Sequence, residues 1–474
     1  MRQAKPYKLA EHLGEVKLPH ASPPSYSGRV RLYAALFAIG LVVYGALAAR
    51  RLLHTSTAPQ FVYQADAWLH GSVSIAPPLA DDDWARVETV VLDDGSFVRG
   101  RRLVTRPMFR TLAGTELPVQ RIASSRGATW YMSFPPLPTV IMLPSAAIAG
   151  RAGNDVIPTL LIAALIAPLM LLVLRRLTEA KLSNRSVRDD VWLVITLSFG
   201  SVLLFSAVRG EVWYTAHVVG VVLALVYAWA SIEARHPVVA GLALGAAALT
   251  RTSMAFMFPL FVFELYRMGS ADSRWRTRCR PLIAFALPIA AFAIAGMIYN
   301  AVRFGSPTEF GHIYLNVRQQ GQIEHWGLMS FHYLSRNLAV ALALLPEWHG
   351  GPPWISISGH GLALWFTTPL LLYVIWPRDR PAIHRALWLT IALVALPSLL
   401  YQNSGWVQFG YRFSLDYMAF LIMLIAIGGR PLGWLSKIII IFGILVNLYG
   451  AITFDRYAPY YHIGGMGYGD LVAN

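Results

Sequence analysis

The stretch LYAALFAIGLVVYGALAA, residues 32–49, decides the fold class of this chain. It contains no charged residue, and as a helix rising about 1.5 Å per residue it crosses most of the ~30 Å hydrocarbon layer of a bilayer. Comparable apolar runs recur along the chain, as far as IIIIFGILVNLYGAITF at residues 438–454. The sequence therefore predicts an all-α polytopic membrane protein.

The composition excludes a water-soluble globule and makes nucleic acid a poor partner. Of the 474 residues, 56% are hydrophobic and 14% are charged, against about 25% charged in a soluble domain. The net charge of +15 comes from Lys and Arg that lie between the apolar runs, where they act as topology signals and contacts to anionic lipid. Cys279 is the single cysteine, so neither a disulfide framework nor a cysteine metal cluster is possible.

Lys and Arg are concentrated in three short loops between apolar runs. Short loops rich in Lys and Arg usually face the cytoplasm. We therefore expect the N-terminus in the cytoplasm and the C-terminus outside, in a bacterial plasma membrane. The run 238–266 has basic ends and is too long for one span, so it should turn near Thr250-Arg251-Thr252 and form two short helices. The three clusters are Arg175, Arg176, Lys181, Arg185 and Arg188; Arg267, Arg274, Arg276, Arg278 and Arg280; and Arg378, Arg380 and Arg385.

If all three basic clusters face the cytoplasm, the chain must cross the membrane about eleven times. Two further apolar segments, 137–149 and 331–345, then lie against the outer leaflet without crossing it. The predicted spans are 31–49, 156–175, 191–208, 212–231, 238–250, 252–267, 281–301, 360–376, 384–401, 413–427 and 434–453. The predicted regions are a cytoplasmic tail 1–30, a first span 31–49, an extracytoplasmic loop 50–155, a catalytic helical module 156–301, a second extracytoplasmic loop 302–359, C-terminal spans 360–453 and an outer tail 454–474.

The first large loop should contain interfacial helices and a small β-hairpin. Residues 87–104, VETVVLDDGSFVRGRRLV, alternate apolar and polar side chains around Asp93-Asp94-Gly95, and Asp-Gly between such runs favours a hairpin turn. These aspartates, with Asp81, Asp82 and Asp83 before them, are interpreted as turn-forming and solvated. A calcium site is the alternative, although the spacing of a calcium loop is absent.

Asp66 is the first candidate for chemistry, in the segment FVYQADAWLHGSVSI at residues 61–75. A carboxylate held at the membrane edge is placed to take a proton from an acceptor hydroxyl. The alternative, that Asp66 caps or solvates an interfacial helix, is equally compatible with its position.

A second group is Glu211, Trp213, Tyr214 and His217, at the outer end of a predicted helix pair. Glu211 and His217 are six residues apart and share no helix face, so interface anchoring is favoured over metal ligation. Arg303 and Arg412 lie beside aromatic residues and glycines at the mouths of two other spans. Each guanidinium could bind a phosphate through paired hydrogen bonds or extend towards lipid head groups.

Several stretches together resemble the GT-C membrane glycosyltransferases, in particular the bacterial relatives of protein O-mannosyltransferases and the lipid A aminoarabinose transferase. These stretches occur in the expected order and span most of the chain. They are QADAWLHGSVSI (64–75), WYMSFPPLPTVIMLP (130–144), GEVWYTAH (210–217), ALTR (248–251), NAVRFGSPTEFGH (300–312) and FGYRFSLDY (409–417).

The resemblance implies a GT-C-like helical bundle, a polyprenyl-phosphate sugar donor and an inverting transfer. It implies that Asp66 is the catalytic base; because Ala67 replaces the second acid of the usual pair, Glu211 is the substitute. Donor-phosphate contacts are assigned to Arg251, Arg303 and Arg412, and substrate contacts to Tyr131, Trp213 and His217. No cofactor is assigned, and dependence on a divalent metal stays open.

The predicted function is transfer of a hexosyl or pentosyl group from a lipid-linked donor to an acceptor hydroxyl on a glycan, lipid or protein outside the cell. A transporter or flippase of a lipid-linked glycan is the main alternative, but the sequence shows neither internal repeats nor charges near the bilayer midplane. A non-catalytic scaffold would need no ionisable residue buried beside the outer mouth.

Overall fold

The computed structural model describes residues 26–80, 83–269, 275–317 and 319–462, with the side chains of 26 and 275–277 left aside. The predicted tail 1–30 falls outside this part of the chain apart from its last five residues, which belong to the first helix, α1 (Tyr26–Ala48). Asp81, Asp82, Arg274 and the end of the predicted outer tail also lie outside the described residues.

After α1 the chain forms a short amphipathic helix, α2 (Gln60–Leu69), and then an antiparallel sheet in the order β4-β3-β2-β1-β5. Its strands are β1 (Trp84–Leu92), β2 (Phe97–Arg102), β3 (Met108–Thr111), β4 (Glu116–Pro118) and β5 (Ile122–Met132). The predicted hairpin is present, with Val91 opposite Phe97. Arg121 pairs with Asp93 and Asp94 at 2.9 and 3.0 Å, which agrees with their turn-forming interpretation.

The hairpin is part of a larger sheet than the small one predicted, because β5 pairs along the other edge of β1. Glu88 on β1 is buried and accepts hydrogen bonds from Arg102 on β2 and Ser125 on β5, at 3.2 and 3.0 Å. β5 was not predicted because its sequence lacks the alternation of apolar and polar residues that indicates a strand. Its partner, β1, also lies some forty residues earlier in the chain.

Helices make up most of the remaining chain. The first group is α3 (Thr139–Ala149), α4 (Val156–Ala164), α5 (Ile166–Glu179), α6 (Val187–Ser198), α7 (Leu203–Ala207), α8 (Val212–Ser231), α9 (Pro237–Ala248), α10 (Pro259–Met268) and α11 (Trp275–Phe304). The second group is α12 (Gln320–Trp326), α13 (Leu334–Leu342), α14 (Leu364–Thr367), α15 (Ile383–Leu400), α16 (Leu415–Ile427) and α17 (Trp434–Thr453).

Within the described ranges, six helices are long and apolar enough to cross a membrane, and each coincides with a predicted span. They are Ser27–Leu53, Val156–Glu179, Val212–Ala234, Arg278–Phe304, Ile383–Leu400 and Trp434–Thr453. The other five predicted spans fall on shorter or interrupted helices. For example, predicted span 360–376 consists of α14 and a 3-10 turn beginning at Pro369, whose nitrogen cannot donate to a continuous helix.

The basic clusters lie together at one end of the bundle. Arg176 pairs with Glu233 at 2.6 Å, and the backbone of Glu233 bonds to Glu264, which pairs with Arg267 at 2.7 Å. Arg185 of the first cluster and Arg378 of the third both bond to the end of α16, through the carbonyls of Ala426 and Gly428 respectively. The structure thus agrees with the prediction that the three clusters share one side.

A small second sheet lies at the opposite end, in the order β6-β7-β8. β6 (Glu347–Trp348) and β7 (Ile355–Ser358) are antiparallel, and β8 (Tyr461–His462) runs parallel to β7. This sheet joins the second large loop to the last described residues of the chain.

Candidate active site

The turn between α9 and α10 is the first part of the site. α9 has 12 residues, about 18 Å at 1.5 Å per residue, so it ends before it has crossed a ~30 Å layer. The predicted turn is confirmed: Arg251 has extended backbone angles (φ −147°, ψ 116°), and a 3-10 segment, Thr252–Met257, leads into α10. The chain therefore turns at Arg251 before α9 has crossed such a layer.

Asp416, in the first turn of α16, organises this turn. Its carboxylate is fully buried and accepts hydrogen bonds from Arg251 Nε at 2.7 and 2.8 Å and from Ser253 Oγ at 2.7 Å. His217 Nδ1 on α8 donates a further bond, at 2.9 Å. Since a buried carboxylate needs such partners, Asp416 fixes the positions of three side chains from two separate parts of the chain.

Two guanidinium groups flank the ring of Phe413. The Cζ atom of Arg251 is 5.3 Å from the ring centroid and that of Arg412 is 5.4 Å from it. The Nη groups of Arg251 make no hydrogen bond to a described residue. Arg412 is buried and donates to the carbonyls of Gly405 and Val407, but no carboxylate among the described residues forms an ion pair with it. Among the described residues, Asp416 is the one carboxylate in ion-pair contact with either cation, whereas Asp83 acts on Arg412 from a longer distance.

These side chains border a cavity of about 500 Å³ at the end of the bundle where the five-stranded sheet lies. The walls come from the loop before β1, the segment after β5, the start of α8, the α9–α10 turn, the second large loop, the end of α15 and the segment that joins α15 to α16. Its polar and aromatic lining includes Asp83, Trp213, His217, Arg251, Ser253, Glu309, His312, Tyr401, Arg412 and Phe413.

Asp83 and Glu309 supply acidic groups to the cavity wall. Trp213 Nε1 donates to Asp83 Oδ2 at 2.8 Å and holds this carboxylate at the wall. Glu309 Oε1 accepts a hydrogen bond from the backbone of Gly311 at 2.6 Å, and burial raises the pKa of Glu309. His312 lies nearby, where burial and the charges of Arg303 and Arg251 lower its pKa to about 4, so it is neutral at pH 7.

Four of the eight residues predicted for the site meet in this cavity: Arg251, Arg412, His217 and Trp213. The other four do not line it. Tyr131 lies on β5, where its hydroxyl accepts from Arg99 at 2.8 Å and its ring packs on Phe304.

Asp66 lies on α2 with 19% of its side chain exposed, 3.5 Å from His70 Nδ1. Glu211 is buried in an ion pair with Arg209, whose Nη2 is 2.6 Å from Glu211 Oε1. Arg209 also pairs with Asp455. The two predicted catalytic acids thus have partners of their own, away from the cavity lining.

Arg303 is also committed to partners within the protein. Its guanidinium donates to the carbonyls of Met132 and Tyr299 and, at 2.9 Å, to Asn300 Oδ1, and it stacks 4.0 Å from the Tyr299 ring centroid. All three of its nitrogens are therefore used, and the residue joins the end of α11 to the end of β5.

Sequence reasoning missed Asp416, Ser253 and the role of Asp83. One signal for Asp416 was present, because an ionisable residue beginning the apolar run LDYMAFLIMLIAI indicates a functional site by default. Asp83 carried no such signal, since it is the last of three consecutive aspartates in a polar segment.

Among the described residues, one group of three His, Cys, Asp or Glu side chains brings its ligand atoms within 4.8 Å of one another: Glu347, His349 and His462. None of the three lines the cavity.

No protein-family model and no curated protein matches this chain. Three solved structures resemble it. The oligosaccharyltransferase of Archaeoglobus fulgidus, in its apo form, is 12% identical with a TM-score of 0.46, and the match covers 89% of this chain and 56% of that one. The same enzyme tethered to an acceptor peptide containing the NVT sequon is 12% identical, with a TM-score of 0.45 and coverage of 89% and 55%.

The third structure is ArnT from Cupriavidus metallidurans bound to undecaprenyl phosphate, 14% identical with a TM-score of 0.40 and coverage of 88% and 63%. This chain thus spans a little over half the length of the oligosaccharyltransferase. Likenesses at these identities and TM-scores establish neither the family nor the activity of this chain.

Proposed function

We propose that this chain is a membrane glycosyltransferase of the GT-C type, and that the cavity around Phe413 is where a sugar leaves a polyprenyl-phosphate carrier for an acceptor hydroxyl. The observation that carries the proposal is the buried Arg412, which forms no ion-pair contact with a carboxylate among the described residues and lies beside the same aromatic ring as Arg251. A buried cation without a counter-ion is costly, and an anionic ligand would remove that cost.

Both arginines come from stretches that resemble the GT-C enzymes, ALTR and FGYRFSLDY, although about 160 residues separate them in the chain. Their convergence on one cavity supports the resemblance independently of any single motif. Guanidinium groups bind phosphate through charge-assisted, directional hydrogen bonds. The phosphate of the carrier would therefore lie in the cavity within reach of both Arg251 and Arg412, and its lipid tail would extend between helices.

Transfer to a hydroxyl also requires a base, and the cavity wall offers two acidic residues, Asp83 and Glu309. We place Asp83, held by Trp213, as the base that accepts the proton of the acceptor hydroxyl. The acceptor oxygen forms a bond to the anomeric carbon while the bond from that carbon to the phosphate oxygen breaks, and the two arginines stabilise the departing phosphate. A single displacement of this kind inverts the anomeric configuration. Asp66, the base implied by the resemblance, is the competing assignment.

Asp416 positions the groups that touch the phosphate. Its carboxylate accepts hydrogen bonds from Arg251 Nε, which leaves the two Nη groups available to a ligand, and from His217 Nδ1, which leaves Nε2 of the imidazole to act as an acceptor. Nε2 of His217 is buried without a described partner, so a hydroxyl of the substrate that donates to it would satisfy it.

The test is an assay of purified protein in detergent or nanodiscs with a panel of polyprenyl-phosphate sugars, in which mass spectrometry follows release of the free carrier phosphate. We expect one or more donors to be consumed by the wild type and, at a donor concentration near the wild-type Kd, much more slowly by Arg412→Ala. Arg126→Ala, an exposed arginine on the five-stranded sheet, is the matched control and should behave as wild type. Consumption of no donor, together with movement of a lipid-linked glycan across proteoliposomes, would support the flippase alternative.

A further inference from the structure

The small sheet β6-β7-β8 brings three side chains together away from the cavity. Glu347 comes from β6, His349 follows it by two residues, and His462 ends β8. The ligand atoms of the three side chains all lie within 4.8 Å of one another. Nε2 of His462 is 3.8 Å from Glu347 Oε2, and the rings of His349 and His462 have centroids 5.8 Å apart.

The backbone around this group holds the three side chains in place. Glu347 is opposite Ser356 across the β6–β7 pair, and the backbone of His349 donates to the carbonyl of Trp354 at 2.9 Å. Ser356 is fully buried, and its hydroxyl lies 2.7 Å from Nε2 of His349. A polar contact of this kind fixes the ring of a metal-ligating histidine in known sites.

His462 is held by the residue before it. The Tyr461 ring is buried against Phe454 at 5.1 Å, and its hydroxyl shares a hydrogen bond of 2.6 Å with Thr453 Oγ1. The carbonyl of His462 also accepts from the backbone of Gly359 at 2.9 Å. β8 is therefore anchored through Tyr461 and through the carbonyl of His462, although 113 residues separate His462 from His349.

We propose that Glu347, His349 and His462 bind a divalent transition metal ion, and that Zn²⁺ is the preferred ion. Two imidazoles and one carboxylate form a donor set that zinc uses with three protein ligands and a water molecule, and imidazole donors favour Zn²⁺ and its transition-metal neighbours over Mg²⁺ and Ca²⁺. The His462 side chain is 43% exposed, so an ion and its water can enter. The site is independent of the glycosyltransferase proposal.

Binding at this position would stabilise the segment that leads to the cavity. The backbone of Gly359 accepts from Gln408 at 3.0 Å, and Gln408 Oε1 accepts from the backbone of Arg412 at 3.0 Å. A metal that joins β8 to the β6–β7 hairpin therefore rigidifies the chain within a few hydrogen bonds of Arg412.

The test uses full-length protein without a polyhistidine tag, stripped with a chelator and titrated with Zn²⁺ or Co²⁺ alone. We expect one ion per chain by elemental mass spectrometry, absorption bands of four-coordinate Co²⁺, and a higher Tm with metal. His462→Ala and His349→Ala should weaken binding by at least the roughly 10–100-fold that loss of an outer partner costs a metal site, and the Tm increase should disappear.

Two matched variants make the result specific. His54→Ala changes an exposed histidine outside the cluster and should bind metal as the wild type does. His312→Ala changes a cavity histidine and should also leave binding intact. Failure of the wild type to bind one ion per chain, or loss of binding in His312→Ala with full binding in His462→Ala, would overturn the proposal. The Tm of each metal-free variant checks that it folds.

Discussion

Arg251 Nε lies 2.7 and 2.8 Å from the two carboxylate oxygens of Asp416, although 165 residues separate them in the chain. This pair joins the turn between two short helices to a helix whose 13 residues are all buried. It also turns the rest of the Arg251 guanidinium towards the cavity. Both the stability of the bundle and the position of the proposed phosphate site therefore depend on it.

Asp416→Asn should destabilise the protein strongly, because it removes the charge opposite Arg251 while keeping the shape of the side chain. Breaking a buried ion pair costs about 3–5 kcal/mol. Thermal unfolding in detergent should show a large fall in Tm. Asp93→Asn breaks the exposed pair with Arg121 and should change Tm little, since solvent screens an exposed ion pair and leaves it little effect on stability. Equal effects of the two variants would contradict the assigned role of Asp416.

Arg412→Ala and Arg303→Ala should separate donor binding from stability. Arg412→Ala removes a charge-assisted contact of about 1.5–3 kcal/mol, so the Kd for polyprenyl phosphate should rise about ten- to a hundredfold. Arg303→Ala should instead lower the Tm, because its three nitrogens bond within the protein. Binding titrations and melting curves on both variants check this. A donor-binding defect confined to Arg303→Ala would place the phosphate at the end of α11.

Asp83→Asn tests the proposed base against Asp66→Asn. Each change keeps the side-chain shape and removes the ability to accept a proton, so turnover should fall by roughly 10²–10⁴ in the variant that has lost the base. We expect this fall in Asp83→Asn, with donor binding retained, and a smaller effect in Asp66→Asn. Steady-state rates with saturating donor measure the difference. The reverse order would restore Asp66 as the base.

Asp155 should give the stability of the protein a pH dependence. Burial, opposed by hydrogen bonds from Ser56, raises its pKa from 3.8 to about 6, so the folded state binds a proton more tightly than the unfolded state. The contribution of Asp155 to the free energy of unfolding is therefore greatest below about pH 4 and is lost as the pH rises through 6. The total change is about 3 kcal/mol. His312 contributes in the opposite sense over an overlapping range.

Comparison with Asp155→Asn isolates this effect from that of His312. The stability of the wild type relative to the variant should fall between pH 4 and 6 and stay level above 7. Melting curves at matched pH and ionic strength measure it. A constant difference across this range would mean that the carboxyl titrates at its ordinary pKa.

Cysteine labelling tests the predicted orientation. In a Cys279→Ala background, a cysteine at position 95, in the exposed turn between β1 and β2, should react with a membrane-impermeant reagent in intact cells. A cysteine that replaces the exposed Arg188 of the first basic cluster should react only after the cells are opened. The opposite pattern would invert the protein in the membrane.

The sequence by itself determined the class of protein, the six long apolar helices, the hairpin at Asp93-Asp94-Gly95 and the turn at Arg251. Each of these depends on residues close together in the chain: the length of an apolar run fixes whether it can cross a bilayer, and turn residues act on their own neighbours. The basic clusters likewise followed from local composition, and the structure brings them to one end.

Only the tertiary structure decided which polar residues meet. An ionisable residue in an apolar run needs a partner, but the sequence does not identify it, because the partner is set by how helices far apart in the chain pack. Thus Asp416 joins Arg251 and His217, while Arg303, which has the same local surroundings as Arg412, uses its donors inside the protein. Asp83 reaches the cavity and Asp66 does not line it, since the path of the chain between α2 and β1, rather than the character of either segment, places each carboxylate.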